Sequence, residues 1–341
     1  MINPSGNCDN CPLRDRLKGG HFVKGKVSKG ARVAILGEAP GTYEVEKGEP
    51  FVGPSGALLD SMLRKAGVRR DSVTISNVLH CQPLGNKLPE SKGELYKAIE
   101  CCRPIMEEEM KGAEIIIGLG NIALKAMTGD TGVMSKRGSV YAINDDVTFI
   151  PTIHPSALLR QRFMSSHSDN KMIPVEIVES DIKKAVSIKK GWQLEEDFRY
   201  NPSSQEIEDW LLLAKKEKAW IAFDIETNRG HPSQIIPIII SFALTYQPSP
   251  VICFDFEGHL TEIVSILGNN IPKITHNGIF DVHVMENVGI PVKNWLFDTM
   301  YSHHLLYAEL PHKLGFVQSV YTNSEYHKDM LKDEMIEVWD K

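Results

Sequence analysis

The sequence predicts a two-domain α/β protein. Over the first 190 residues, short apolar runs of strand character alternate with stretches of helical spacing, the pattern of a parallel sheet with helices on both faces. Periodicity then lapses from Lys189 to Ser204, where charge, Gly, Pro and Ser collect. The charge changes sign at the same place: residues 1–190 hold 27 Lys+Arg against 22 Asp+Glu, and residues 191–341 hold 11 against 22. A mildly basic module is joined to a strongly acidic one, whose surplus is either a solvated surface or a carboxylate site for cations. A chain of 341 residues can bury two cores. Its apolar runs, such as Ile235 to Phe242 with Pro237 inside it, fall short of the roughly 18 to 20 residues that a membrane span needs. Met1 to Asn10 lacks the basic-then-apolar order of a secretory signal, so a soluble intracellular protein is expected.

Taken in order, Ala31 to Leu36 (ARVAIL) reads as a buried strand, and Gly37 to Gly41 (GEAPG) as the tight loop at its carboxyl end, where open α/β sheets bind ligands. Gly56 to Ala66 has helical spacing, Ser72 to Leu79 reads as strand, Glu94 to Met110 as helix, Glu114 to Gly118 as strand and Asn121 to Met127 as helix. Thr148 to Ile153 is a further strand running into His154, and Glu179 to Ile188 a closing helix. Past the break, Gln205 to Lys216 reads as helix, and Trp220 to Ile225, Ile235 to Tyr246 and Val251 to Phe256 as a β-meander. Helix Leu260 to Leu267, strand Lys273 to Thr275 and helices from Phe280 complete the pattern. The domains are therefore expected at 1–190 and 205–341, with 191–204 as linker.

The six cysteines are Cys8 and Cys11 in a C-x-x-C, Cys81 past a strand, the adjacent pair Cys101 and Cys102, and Cys253 apart. Disulfides suit an intracellular chain poorly. Four thiolates from the first five would serve zinc or an iron–sulfur cluster equally, and spacing does not choose between them.

Three segments, with the C-x-x-C, carry a resemblance: Gly37 to Asp60 (GEAPGTYEVEKGEPFVGPSGALLD), Ile75 to Pro89 (ISNVLHCQPLGNKLP) and Thr152 to Arg160 (TIHPSALLR). In this order they resemble the family 4, iron–sulfur uracil-DNA glycosylases. The resemblance implies a three-layer α/β/α uracil-DNA glycosylase fold with a parallel sheet, and hydrolysis of the N-glycosidic bond of uracil in DNA after base flipping. It also implies a 4Fe-4S cluster on Cys8, Cys11, Cys81 and Cys102, since Arg103-Pro104 follow Cys102 as they follow the family's last ligand, with Cys101 as the alternative. Phe51 carries over as the aromatic floor, and Asn77 as the amide that reads the uracil edge. His154 carries over as the donor to uracil O2, where charge gathers as the bond breaks. Backbone amides of the loop holding Gly37, Ala39 and Gly41 are expected to contact the base or its phosphate. Ala39 stands where the best-known uracil glycosylases carry a water-activating Asp, which leaves Glu38 and Glu44 as candidates to place water. Gly85-Asn86-Lys87 lacks the basic insert with a nucleophilic His that uracil-crosslinking relatives carry, so simple hydrolysis is implied.

In the second half, FDIET (Phe223 to Thr227), HNGIFDVHVM (His276 to Met285) and FDTMYSHHLL (Phe297 to Leu306) are similar to the 3'-5' exonuclease module of family A DNA polymerases, a ribonuclease H-like fold. Asp224 and Glu226, two apart on a strand, share a face, and with Asp281 carry over as ligands for Mg2+ or Mn2+. Asp298 also matches a family acid. The family draws a fourth carboxylate from a later Y-x-x-x-D or H-x-x-x-x-x-D motif; His327 with Asp333 has the second spacing within a sequence of the polymerase type, and the exonuclease-like domain is expected to be incomplete at its C-terminus. The expected partners are uracil-containing DNA, single- or double-stranded, and a DNA polymerase or replication protein, with no membrane, in the cytoplasm, nucleoid or a phage context. Two other readings compete: a non-catalytic module recruiting a polymerase or nuclease to uracil, and a metal-dependent exonuclease with a structural first domain.

Overall fold

The computed structural model describes residues 7–14, 22–164, 173–189, 197–228, 235–246 and 249–323. The chain divides into two compact units, Met1–Gln193 with Gln318–Lys341, and Leu194–Val317.

In the first unit the elements run β1 (Val33–Gly37), α1 (Thr42–Lys47), α2 (Pro54–Lys65), β2 (Thr74–Asn77), α3 (Lys92–Met110), β3 (Ile115–Leu119), α4 (Asn121–Thr128), α5 (Val133–Lys136), β4 (Tyr141–Ala142), β5 (Thr148–Thr152), α6 (Pro155–Met164) and α7 (Val175–Ser187). The sheet has the order β2-β1-β3-β5-β4, all parallel except β4, which runs against β5. Its strands read as unbroken apolar runs because both faces are covered. Val33 and Ile35 pack with Leu59, Met62 and Leu63 of α2 and Val178 and Ile182 of α7. Ala34 and Leu36, one residue out of phase, pack on the opposite side with Ala98 and Met106 of α3 and Ile122 and Ala123 of α4. This is the expected three-layer arrangement. Local signals start the helices: Pro54 and Pro155 occupy first-turn positions, and the Ser91 hydroxyl accepts the Glu94 N–H at the start of α3.

The second unit contains β6 (Phe198–Tyr200), α8 (Ser204–Lys216), β7 (Ile221–Thr227), β8 (Pro237–Leu244), β9 (Val251–Asp255), α9 (Leu260–Gly268), β10 (Lys273–Thr275), α10 (Ile279–Asn287), β11 (Trp295–Asp298), α11 (Thr299–Leu306) and the start of α12 (Leu314–Tyr321). Its sheet has the order β11-β10-β7-β8-β9-β6, with an antiparallel meander β7-β8-β9 and parallel pairs at both ends. The segment read as a linker thus carries an edge strand, β6, paired with β9. Three residues with Phe198 and Tyr200 exposed leave no alternation long enough to signal a strand. The helices α1, α5 and α6 and strand β4 also lack a sequence signature, the first three because their apolar spacing is short or irregular, the last because it has two residues.

Candidate functional site

The first unit concentrates its candidate residues at the carboxyl ends of β1, β2 and β5. Gly37 ends β1 and pairs in register with Asn77, which ends β2. A Cβ on Gly37 would collide with the Asn77 carboxamide and the Phe51 ring, so glycine is what lets those two side chains meet over the strand end. Asn77 is 3% exposed, and its Oδ1 has no hydrogen-bond partner among the described residues. An unpaired buried acceptor is costly, and this one has capacity to take a donor. Phe51 is held at φ 54°, with its carbonyl where a Cβ on Gly56 would stand, so the turn sits directly on α2. Its ring centroid lies 5.7 Å from that of His154 at an interplanar angle of 32°.

His154 follows β5 at the entrance to α6. Its Nδ1 lies 3.1 Å from the Ser156 backbone N and 2.8 Å from the Ser156 hydroxyl. A backbone N–H can only donate, so Nδ1 is an acceptor and the hydrogen of the neutral ring resides on Nε2. Burial, reinforced by the positive charge of Arg160, holds the imidazole down at about 4, so it is neutral across the physiological range. Opposite, Gly120 at φ 91° leaves room: a Cβ there would stand 3.2 Å from the His154 Cβ. Glu38 faces the same Arg160. Burial pushes its carboxyl above the ordinary value, and the guanidinium opposes that push.

Glu44 ties two segments together. Its Oε2 accepts the Gly41 N–H at 3.1 Å, and its Oε1 accepts the Val52 and Gly53 N–H groups, both at 3.0 Å. Both oxygens are occupied in tying the β1 loop to the Phe51 turn. Gly41 is therefore engaged with Glu44, and Ala39 packs against the core cluster on the α3 side. Gly37, Phe51, Asn77 and His154 are brought together. Ser156 and Arg160 were not singled out by sequence reasoning, although both lie in the TIHPSALLR segment; their i, i+4 spacing on α6 lets Arg160 Nη1 approach Ser156 Oγ at 3.3 Å.

The cysteines form a second group. Cys8 and Cys11 bracket a 3-10 turn closed by the Cys11 N–H to the Cys8 carbonyl, while Cys81 bridges Phe22. Burial pushes the Cys102 thiol up to about 12, with an N–H of His80 opposing and the neighbouring Cys11, Cys81 and Cys8 adding. Cys81 rises to about 11 through burial and the proximity of Cys8 and Cys11. Cys101 hydrogen-bonds with Cys11 and senses Cys8. Among the described residues no three His, Cys, Asp or Glu side chains stand within reach of one metal ion. The donor set nonetheless fits an iron–sulfur cubane, whose irons occupy separate corners and so accept thiolates standing farther apart than the ligands of a single ion.

In the second unit β7 alternates, burying Ile221, Phe223 and Ile225 and presenting Asp224 and Glu226 outward. Strand β10 pairs with β7 only as far as Ala222, which leaves the Ile225 backbone for the Asp281 carboxyl on α10. Burial and the charges of Asp281 and Glu226 raise Asp224 to about 6. Mutual repulsion of this kind is what a divalent cation relieves, so the donor chemistry fits one. Asp298, by contrast, is saturated. It accepts from Asn277 N, Gly278 N, Met300 N, Tyr301 N and Thr275 Oγ1, and these N–H bonds outweigh burial and hold it below the ordinary carboxylate value. It caps α11 and fixes the His276–Gly278 turn. His327 and Asp333 lie outside the described residues. No helix among the described residues is long and apolar enough to cross a membrane.

The profile of the Uracil DNA glycosylase superfamily matches residues 24–174, and that of a 3'-5' exonuclease matches residues 199–341. A DNA polymerase of Bacillus phage SP01 is 28% identical over 221 residues, 62% of this chain and 22% of the polymerase. A type-4 uracil-DNA glycosylase of Thermotoga maritima is 33% identical over 186 residues, 54% of this chain and 90% of that protein. One from Pyrobaculum aerophilum is 35% identical over 167 residues, 46% of this chain and 81% of that protein. Similar at this level over most of the length of such relatives, the chain belongs to the type-4 uracil-DNA glycosylases, with a 3'-5' exonuclease-like region following.

Proposed function

We propose that the first unit hydrolyses the N-glycosidic bond of uracil in DNA through Asn77, Phe51 and His154. The observation that carries this reading is the buried, partnerless Oδ1 of Asn77 beside an aromatic ring and a histidine whose Nε2 is left to donate. A uracil turned out of the stack would lie on Phe51, give its N3–H to Asn77 Oδ1 and accept at O4 from the same amide. Cytosine offers an acceptor at N3 and a donor at N4, so it meets like against like. His154 Nε2–H donates to O2, where negative charge develops as the bond to the sugar breaks. A neutral donor suits this task because it carries its proton without needing a charged ring in a buried place. We assign the placing of water to Glu38, whose carboxyl carries no competing hydrogen bond from the loop, while Glu44 holds the pocket's shape.

Cys8, Cys11, Cys81 and Cys102 would hold the 4Fe-4S cluster; Cys102 is preferred over Cys101 because it senses all three of the other thiols. Bound there, the cluster supplies a cross-link that pins the N-terminal turn to the loop after β2 and to α3. Asp224, Glu226 and Asp281 would hold Mg2+ or Mn2+ in the second unit, and such ions supply hydroxide and charge neutralisation for phosphodiester hydrolysis. The two units act as separate modules. The match to a phage DNA polymerase supports a polymerase as partner for this pair of modules.

The test is an end-labelled oligonucleotide with one uracil, incubated with cluster-loaded protein in EDTA and then treated with alkali. Strand breakage at the uracil alone is expected. Intact strands with undiminished binding would replace hydrolysis with recruitment.

A further inference from the structure

A carboxylate buried away from water keeps its charge only where several donors or a cation hold it. Glu109, 5% exposed on α3, draws its donors from elsewhere in the chain. Its Oε1 accepts the Gly25 N–H at 2.8 Å, and its Oε2 accepts the Ser76 hydroxyl at 2.6 Å and the His80 Nε2–H at 2.9 Å. Burial pushes the carboxyl up, but the bonds from His80, Ser76 and Gly25 overcome that push and hold it below the ordinary value. Ser76 and His80 are themselves sealed from solvent. A Cβ on Gly25 would collide with the Glu109 carboxylate, so glycine is what admits the acid there.

These donors flank both candidate sites of the first unit. Ser76 immediately precedes Asn77, and His80 immediately precedes Cys81. Glu109 lies two turns past Cys102 on the same face of α3. The Gly25 segment runs antiparallel along β2 and the loop after it. Lys26 and Ile75 exchange both backbone hydrogen bonds, at 2.8 and 3.0 Å, and the Val23 N–H donates to the His80 carbonyl at 2.8 Å. The Phe22 ring stacks on the His80 imidazole with centroids 5.5 Å apart. One carboxylate therefore ties α3 to residues 22–26 and to the strand end that carries Asn77 and then Cys81. An apolar side chain could fill this place beside Met106 and Met110 without the cost of burying a charge; what the carboxylate adds is direction, with each donor held to a set angle.

We propose that Glu109 is a positioning residue shared by the uracil pocket and the cluster site: by gathering Gly25, Ser76 and His80 on one carboxylate, it sets where Asn77 and Cys81 stand. Its effect on excision rests on the uracil-excision reading above, whereas its hold on the strand end does not. Weakening the clasp loosens residues 22–26 and 74–81 and leaves β3 and β5, at the centre of the sheet, as they were.

The experiment uses the full, cluster-loaded chain with Glu109→Gln, which keeps the shape and removes one acceptor, and with Ser76→Ala, which removes a single donor. It reads amide hydrogen exchange by segment, iron release to a ferrous chelator, and single-turnover uracil excision at saturating protein. Glu109→Gln should speed exchange in 22–26 and 74–81 about tenfold, with β3 and β5 within about twofold. Iron release should rise about tenfold and excision slow about tenfold, with DNA affinity within about twofold. Ser76→Ala should shift each readout the same way by less, and decides by the same exchange pattern should Glu109→Gln not fold. Faster exchange in β3 and β5 as well would reduce Glu109 to general stability and overturn the proposal. Unchanged exchange in 22–26 and 74–81, or faster exchange there with excision and iron release undiminished, would overturn it too. Failure of the unsubstituted chain to excise uracil would instead overturn the excision reading, while exchange and iron release would still decide the clasp.

Discussion

The two candidate sites solve opposite electrostatic problems. In the first unit the pocket is made of neutral groups: an aromatic ring, an amide and an imidazole kept uncharged by burial and by Arg160. Its polarity is stored as hydrogen-bonding capacity left open, at Asn77 Oδ1 and His154 Nε2. The second unit gathers Asp224, Glu226 and Asp281, whose like charges help to raise Asp224 to about 6. On the reading proposed above, a divalent cation would offset that repulsion. A pocket for a neutral base is preorganised by the protein alone, whereas a pocket for a charged backbone borrows its positive charge.

The sharpest way to break the comparison is chelation. EDTA should abolish exonuclease activity and leave uracil excision within about twofold, since only phosphodiester hydrolysis needs divalent ions. Parallel loss of both, measured on one doubly labelled substrate, would mean that the sites are not independent. His154→Ala comes next and should slow single-turnover excision by about 10²- to 10³-fold, the cost of removing one donor from a developing anion, with DNA affinity little changed. An equal loss in affinity would move His154 from the reaction to binding. Asn77→Asp should lower uracil excision by about a hundredfold, because a carboxylate accepts but cannot donate to O4. Retained preference for uracil over cytosine would remove Asn77 from the pocket.

Gly37→Ala tests whether the close approach of Asn77 and Phe51 matters. An added methyl should cost about 1–3 kcal/mol of stability by chemical denaturation and reduce excision about tenfold. The smallest effect is an absence. His154 is neutral above about 4, so excision should be flat between pH 8 and pH 5 as far as this ring is concerned, and should fall only as the pH drops through 4 and the ring takes a second proton. A decline centred near 6.5 would show that the ring titrates as if exposed.

Legibility in the sequence followed the range of each interaction. Asn77, Phe51 and His154 sit in contiguous segments of marked composition, and the structure assembles them. The bracing by Glu44 was not legible because its partners are eight and nine residues along the chain, at Val52 and Gly53, and a lone acid in a loop gives no sign that backbone amides will meet both oxygens. Asp298 illustrates the same limit, since its donors come from a turn 20 residues earlier as well as from its own helix. The pairing of Asp224 with Glu226 was readable because a period of two is local, but the approach of Asp281 depended on β10 stopping at Thr275.

The sequence by itself determined the alternation of strands and helices, the change of charge near residue 190 and the residue types of both sites, because these reside in spacing and composition. Tertiary structure alone decided that β6 joins the second sheet, that His154 Nδ1 is filled by the Ser156 N–H and that Glu44 braces a loop. Each of these depends on groups distant in sequence meeting in space, and on which hydrogen bonds remain unfilled once they have met.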